Sequence, residues 1–141
     1  MEKIQFIDKS PTAEEYNHIR EQVGWPGYRL SDIKKGLNSS LYCVCAYEDN
    51  KIVAMGRVIG DGILVFYIQD IIVLPQYQRQ GIGSIIMKKI MKYIIANSAN
   101  NTIIGLLSAS GKEEFYEKYG FIKRPNKLMG CGMVQFLKAN E

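Results

Sequence analysis

The segment Gln78–Ser84 (Gln-Arg-Gln-Gly-Ile-Gly-Ser) has residue types suited to binding an anionic phosphate group. Gly81 and Gly83 lack a Cβ atom, so a ligand can approach the backbone closely there. The residues that follow have the apolar spacing of a helix, and a helix N-terminus offers unpaired N–H groups with a partial positive charge. Arg79 adds a fixed positive charge beside them. The segment therefore predicts a pyrophosphate-binding loop at the start of a helix.

Two nucleotide-binding motifs do not fit this loop. A P-loop requires a lysine between its last glycine and the Ser or Thr, but here Gly83 is followed directly by Ser84. A dinucleotide fingerprint requires a third glycine, and this chain has Ile86 at that position. On the loop alone, a glycine-rich helix start without any ligand remains an alternative.

The elements around the loop predict a mixed α+β domain. A long apolar strand precedes the loop, and the consecutive strands between residues 41 and 73 favour antiparallel hairpins. The helix after the loop then crosses over to a parallel strand. Thr12 and Glu15 have the spacing of a capping box at the start of the first helix. The predicted strands are 3–8, 41–47, 52–59, 63–73, 102–107 and 132–137, and the predicted helices lie at 12–24, 31–37, 82–97 and 111–119.

Composition is that of one globular domain. The chain has 141 residues and a net charge of +4 that is spread too thinly for a nucleic-acid-binding arm. No apolar run reaches the about 18 residues that span a membrane, and no signal peptide is evident, so we expect a cytoplasmic protein without membrane contact. Cys43, Cys45, Cys131 and His18 are a weak metal-ligand pattern. Buried small apolar side chains are the better interpretation of the cysteines, and we expect no metal.

Two motifs resemble one enzyme family. Gln78-x-x-Gly81-x-Gly83, after a strand that ends in Val73-Leu74-Pro75, resembles the acyl-CoA-binding signature of the GNAT N-acetyltransferases. Further along, 115–121 (Phe-Tyr-Glu-Lys-Tyr-Gly-Phe) resembles a second segment of that family. Residues 60–62 and 68–73 are similar to the small-amine branches, of the arylalkylamine (serotonin) or glucosamine-phosphate type.

The resemblance implies a GNAT fold and a mode of cofactor binding. The fold would be a single domain, 1–141, with a mostly antiparallel sheet of about six or seven strands. A parallel pair would be splayed at the acetyl-CoA site, with helices on both faces of the sheet. The cosubstrate acetyl-CoA would be bound by Ile71, Ile72, Val73, Gln78, Arg79, Gln80, Gly81, Ile82, Gly83, Ser84, Phe115 and Lys118. Among these, the loop N–H groups would bind the pyrophosphate and residues 71–73 would pair with the pantetheine arm, while Phe115 would also pack under its helix.

Two residues are the catalytic candidates. The resemblance places the hydroxyl of Tyr116 near the thioester sulfur, where a protonated phenol can donate a proton. Asp70 interrupts an apolar strand, and a buried carboxylate is costly unless it is paired. It would bind the amine, relay its proton, or cap nearby backbone. Some relatives have Glu where this chain has Gln69, which cannot act as a base, so a water chain to solvent is the fallback.

The implied activity is transfer of an acetyl group from acetyl-CoA to the primary amine of a small molecule, by direct attack in a ternary complex. The alternatives are acetylation of a protein lysine or N-terminus, and a CoA-binding regulatory module without turnover. A homodimer is expected from the C-terminal strand and the segment Met129–Met133.

Overall fold

The computed structural model describes residues 3–138 of the chain. The chain divides into two compact units, 1–106 and 107–141. The first unit contains β1 (Gln5–Ile7), α1 (Ala13–Gln22), α2 (Leu30–Asn38), β2 (Tyr42–Glu48), β3 (Lys51–Gly60), β4 (Val65–Val73), a 3-10 turn (Pro75–Tyr77), α3 (Ile82–Asn97) and β5 (Ile103–Gly105). The second contains α4 (Glu113–Glu117). The expectation that residues 1–141 form a single domain stays a prediction.

The sheet has the topology that the sequence predicts. Its order is β1-β2-β3-β4-β5, with antiparallel neighbours from β1 to β4 and a parallel pair formed by β4 and β5. The helix α3 makes the crossover between the parallel strands, as a connection of this kind requires. The mixed α+β prediction is therefore confirmed, with five strands in residues 3–138 instead of six or seven.

The predicted strand at 132–137 is wrong. This part of the second unit has no regular secondary structure, and Met133, Val134, Phe136 and Leu137 are all exposed. A strand exists only through hydrogen bonds to a neighbouring strand, which the apolar residues of one segment cannot supply. The predicted helix at 111–119 is likewise shortened to α4.

Helices cover both faces of the sheet. On one face, α1 and α2 share an apolar cluster with the sheet; its members include Tyr16, Ile19, Ile33, Leu37, Cys45, Met55 and Ile72. The first helix begins with the predicted capping box, in which Thr12 and Glu15 each accept a backbone N–H bond from the other. Cys43 and Cys45 are buried, which agrees with their interpretation as small apolar side chains, whereas Cys131 is exposed and does not fit it.

The other face of the sheet packs against α3. The ring of Tyr93 stacks on Tyr42 at 4.9 Å between centroids and meets Phe66 edge-on at 6.4 Å. Beneath α3, Gly56 of β3 leaves room for the side chains of Ile71, Ile86 and Ile90; a Cβ there would lie 2.7–2.8 Å from all three. Within residues 3–138, no helix has the length and apolar character needed to cross a membrane.

Gly56→Ala should destabilise the first unit by about 1–3 kcal/mol, because three packed isoleucines must move together to admit one methyl group. Urea denaturation followed by circular dichroism measures this loss. Gly36→Ala in α2 is the matched control, since no atom lies within 4 Å of its Cβ position. It should instead raise stability by up to about 1 kcal/mol. Equal behaviour of the two variants would contradict the close approach of α3 to the sheet.

Candidate functional site

The loop between β4 and α3 has the backbone conformation of an anion-binding turn. Arg79 has a φ of 64° and Gly81 a φ of 81°, with Gln80 between them. A positive φ is uncommon for arginine, and turns of this kind line up successive N–H groups around a concave site. Gln78 through Gly81 are exposed, so an anion in solution can reach these groups.

The N-terminus of α3 is left open to a ligand. Gly81 occupies the N-cap position, and within the described residues no side chain caps this end and no acidic residue occupies the first turn. In contrast, α1 is closed by its own capping box. The uncapped N–H groups and the dipole of the 16-residue helix α3 therefore favour a negatively charged group. The loop residues fit the pyrophosphate of acetyl-CoA, with Arg79 as an additional cation.

Internal hydrogen bonds hold the loop in place. The Nε2 of Gln78 donates to the carbonyl of Val73 at 2.9 Å, and the Nε2 of Gln80 donates to the carbonyl of Gln76 at 3.3 Å. Tyr77 packs against the apolar cluster under α1 and donates its hydroxyl hydrogen to Glu48, at the end of β2. The loop is thus fastened to both β4 and the β2–β3 turn.

The second half of β4 extends past its parallel neighbour. The pairing with β5 covers only Val65–Tyr67, whereas β4 continues to Val73. Within residues 3–106, the main chain beyond Tyr67 has a strand partner on the β3 side alone. The side chain of Ile72 is buried in the core. The predicted pantetheine segment, 71–73, therefore offers its main chain to an extended ligand, while its side chains belong to the fold.

A β-bulge in β4 turns one carboxylate toward α1. Met55 of β3 pairs with Ile72, and Arg57 pairs with Gln69. Between these two pairs β3 has one residue, Gly56, whereas β4 has two, Asp70 and Ile71. The extra residue is Asp70, whose φ is 58°. Aspartate tolerates this left-handed conformation better than most residues. The bulge lies in the part of β4 that β5 does not cover.

Both oxygens of Asp70 are engaged by cations. Its side chain is fully buried; Oδ1 accepts from Nη1 of Arg20 at 3.1 Å, and Oδ2 accepts from Nε of Arg57 at 2.9 Å. The hydroxyl of Tyr16 also donates to Oδ2, at 2.6 Å. Burial and the adjacent carboxylate raise the pKa of Tyr16 well above its ordinary value, so this phenol stays neutral. Asp70 is held by three side chains from α1 and β3, and Nε2 of its neighbour Gln69 also donates to Oδ1, at 3.4 Å.

Sequence reasoning missed these three partners. Arg20 and Arg57 lie 50 and 13 residues from Asp70 along the chain. Two signals were present: a carboxylate inside an apolar strand requires a partner, and Arg57 is a charge inside the apolar strand β3. Neither signal identifies which residues meet.

Four aromatic side chains of the first unit make contacts within the fold. Trp25 and Tyr28 lie against the guanidinium of Arg20, whose Cζ is 5.3 Å and 4.8 Å from their ring centroids. Tyr42 and Phe66 pack on α3. His18 is exposed on α1.

The second unit carries the other predicted site residues. The ring of Phe115 contacts Tyr116 and Tyr119, with centroids 5.1 Å and 5.6 Å apart, and Tyr116 also meets Phe121 at 6.4 Å. Burial raises the pKa of Tyr116 above its ordinary value, so its hydroxyl keeps its proton at neutral pH. Lys118 is exposed at the C-terminal end of α4.

The chain matches a known family and several related proteins. The family described as "Acetyltransferase (GNAT) domain" matches residues 39–123. A crystal structure from methicillin-resistant Staphylococcus aureus, of a protein of unknown function described as a probable acetyltransferase, is 34% identical; the match covers 95% of this chain and 100% of that one, with a TM-score of 0.86.

Two curated relatives are similar in sequence. The uncharacterized N-acetyltransferase ycf52 of Pyropia yezoensis is 25% identical over 139 residues, which cover 92% of this chain and 79% of that protein. The histone acetyltransferase TAP1 of Glycine max is 27% identical over 121 residues, which cover 78% of this chain and 52% of that protein. Together with the parallel pair of β4 and β5 and the uncapped helix, these matches show that the chain belongs to the GNAT acetyltransferase family and is an acyltransferase.

Proposed function

We propose that this protein transfers the acetyl group of acetyl-CoA to the primary amine of a small molecule. The observation that carries the proposal is the open, exposed N-terminus of α3 beside the uncovered main chain of β4. An anionic pyrophosphate fits the first, and an extended arm with amide groups fits the second. Both features lie in the first unit, 1–106.

The proposed binding residues follow from that arrangement. The N–H groups of the loop from Arg79 to Ser84 bind the pyrophosphate, and Gln78 fixes the loop to Val73. Residues 71–73 pair with the pantetheine arm through their main chain. Phe115 and Lys118, in the second unit, are assigned to cofactor contacts by the family motif alone.

The proposed reaction is direct attack. Acetyl-CoA supplies an activated acetyl thioester. The lone pair of the neutral amine attacks the carbonyl carbon, the C–S bond breaks, and Tyr116 gives its phenolic proton to the departing sulfur. The proton that the amine nitrogen loses passes to water, because Gln69 cannot accept it.

The role of Asp70 is proposed from its contacts. Arg20, Arg57 and Tyr16 already use both carboxylate oxygens, and the side chain is fully buried. These contacts favour a positioning role, in which Asp70 fixes the bulge of β4 and holds Arg57. A catalytic role for Asp70 stays a prediction.

Tyr116→Phe should lower kcat by about 100-fold or more with little change in the affinity for acetyl-CoA, since the ring remains and only the proton donor is lost. Steady-state kinetics and calorimetric binding separate the two effects. Because burial raises the pKa of Tyr116, the wild type should keep its activity up to at least about pH 10 before this phenol ionises. Tyr119→Phe, three residues away, is the control. A normal kcat for Tyr116→Phe would remove this residue from the acid role.

Acetylation of a protein lysine is the second candidate. The observation that favours it is the similarity to the soybean histone acetyltransferase, of which the chain spans about half the length. A CoA-binding module without turnover is the other alternative.

The first experiment is release of free thiol from acetyl-CoA across a panel of acceptors. The panel contains arylalkylamines, amino sugars, polyamines, aminoglycosides, amino acids and lysine peptides, and a thermal shift with acetyl-CoA is measured in parallel. Turnover with a small amine would support the proposal, and turnover with peptides alone would favour the second candidate. A thermal shift without turnover would favour the binding module. The absence of both turnover and a thermal shift would contradict the loop assignment.

The homodimer also stays a prediction. The predicted C-terminal strand is absent from the described residues, but Leu128, Met133, Phe136 and Leu137 in that region are more than four-fifths exposed. Exposed apolar side chains in such number are typical of interaction surfaces. Sedimentation or light scattering should give twice the monomer mass, and a monomer at all concentrations would contradict the prediction.

A further inference from the structure

The cluster around Asp70 contains more positive than negative charge. Arg20 and Arg57 each carry a full positive charge, since a guanidinium does not lose its proton in proteins. Asp70 supplies a single negative charge, and Tyr16 is neutral. Among residues 3–138, no other carboxylate forms an ion pair with either arginine. One positive charge of this cluster is therefore without a protein counterion.

An unbalanced charge is costly at this depth. The side chains of Arg20 and Arg57 are only 7% and 15% exposed. Taking a charge out of water without a counterion costs several kcal/mol. The second arginine leaves one positive charge that an anion from solution can neutralise.

Arg57 is the arginine that an incoming anion can reach. The guanidinium of Arg20 is enclosed by the rings of Tyr16, Trp25 and Tyr28 and donates through Nε to the carbonyl of Pro26. Arg57 is twice as exposed, so it forms the solvent side of the cluster.

Only part of the Arg57 guanidinium is committed within the fold. Its Nε donates to Asp70 and its Nη1 to the hydroxyl of Ser40, and its Cζ lies 6.0 Å from the ring centroid of Tyr16. This leaves Nη2 for a ligand. A guanidinium fixed on two sides is well suited to bind a carboxylate or phosphate oxygen.

The position of Arg57 places that anion near the reacting amine. Arg57 pairs with Gln69 across the β3–β4 ladder, next to the bulge at Asp70. Adjacent strands are about 4.8 Å apart. If the thioester lies along β4, as the proposed function requires, an acceptor amine at the bulge lies close to Arg57 on the adjacent strand.

We propose that the acceptor is a primary amine that carries an anionic group, a carboxylate or phosphate within a few bonds of the nitrogen, and that Arg57 binds this group. This inference rests on the proposed function and narrows its substrate class. Asp70, Arg20 and Tyr16 are positioning residues that hold Arg57. A lysine side chain within a peptide has no such group beside its amine, so the proposal also favours a small molecule.

The test compares acceptors that differ only in the anionic group. Suitable pairs are tyrosine and tyramine, phosphoethanolamine and ethanolamine, and glucosamine 6-phosphate and glucosamine. The wild type should show a kcat/KM about tenfold or more higher for the anionic member of at least one pair, as expected for one charge-assisted hydrogen bond. Preference for the neutral member in every pair, or no preference, would overturn the inference.

Variants assign the preference to Arg57. Arg57→Met should reduce the anionic-to-neutral ratio of kcat/KM about tenfold or more, mainly through KM, and Arg57→Lys should restore part of it. Arg29→Met is the matched control, since Arg29 is an exposed arginine paired with Asp32, and its ratio should equal that of the wild type. An unchanged ratio in Arg57→Met would contradict the assignment.

A measurement on the wild type covers the case in which Arg57→Met does not fold. The deaminated analogue of each anionic acceptor should inhibit competitively against the acceptor, with an inhibition constant at least tenfold lower than that of the deaminated neutral analogue. About one charge-assisted hydrogen bond accounts for this difference. Equal inhibition would overturn the inference. If no acceptor releases thiol, the proposed function itself fails and the inference falls with it; turnover that ignores the anionic group overturns the inference alone.

Discussion

Gly81→Val should lower the affinity for acetyl-CoA by about 100-fold or more while the chain stays folded. Gly81 is the N-cap of α3 with a φ of 81°, and no protein atom lies within 4 Å of its Cβ position. A valine there meets no neighbour in the fold but occupies the space that the pyrophosphate requires. Loss of two charge-assisted hydrogen bonds, about 3 kcal/mol together, accounts for the expected effect.

The strain of a positive φ must be separated from the effect on the ligand. Gly24, after α1, has a φ of 80° and likewise no atom within 4 Å of its Cβ position. Gly24→Val therefore carries the same backbone strain, about 1–3 kcal/mol, at a place remote from the loop in sequence. Both variants should lose similar stability in urea, and only Gly81→Val should lose binding in calorimetry. Equal affinities of the two variants would show that the loop does not bind the cofactor.

Asp70→Asn should reduce the free energy of unfolding by about 3–5 kcal/mol. The substitution keeps the shape of the side chain, and asparagine tolerates the φ of 58° at this position. The loss comes from charge, because Arg20 and Arg57 remain buried without their carboxylate. Asp32→Asn is the control: that carboxylate pairs with Arg29 on the surface, and its loss should cost less than about 1 kcal/mol. Equal costs for the two variants would contradict the structural role of Asp70.

The kinetics of the same variant test the catalytic prediction for Asp70. If Asp70 accepts the proton of the amine, the activity of Asp70→Asn should recover as pH rises, because more of the amine is then already neutral. If Asp70 positions Arg57, the loss should be similar between about pH 6 and 9 and should appear mainly in KM for the acceptor. We expect the second result, and recovery at high pH would assign a catalytic role.

Much of the fold could be predicted from the sequence because it depends on local interactions. The capping box of Thr12 and Glu15, the apolar runs of β2 to β4 and the helical spacing of α3 each depend on residues close together in the chain. So does the start of α3 at Gly81, since the glycines and the helix start are neighbours. These features formed as predicted, with bounds shifted by a few residues.

The C-terminal region shows where such reasoning stops. The apolar residues between 132 and 137 predict a strand, yet the described structure has none there. Strand formation depends on a neighbouring edge that offers hydrogen bonds, and the sequence of the segment does not contain that edge.

By itself, the sequence determined the antiparallel strands with their crossover to a parallel strand, the loop that fits an anion and the family motifs, because each is encoded in short stretches of chain. Only the tertiary structure decided the surroundings of Asp70. The bulge in β4 turns this carboxylate toward α1, where Arg20 and Tyr16 arrive from about 50 residues away and Arg57 arrives from the next strand. The partners of a buried charge are brought together only by the tertiary fold. The unpaired positive charge of the cluster therefore arises only in the folded chain.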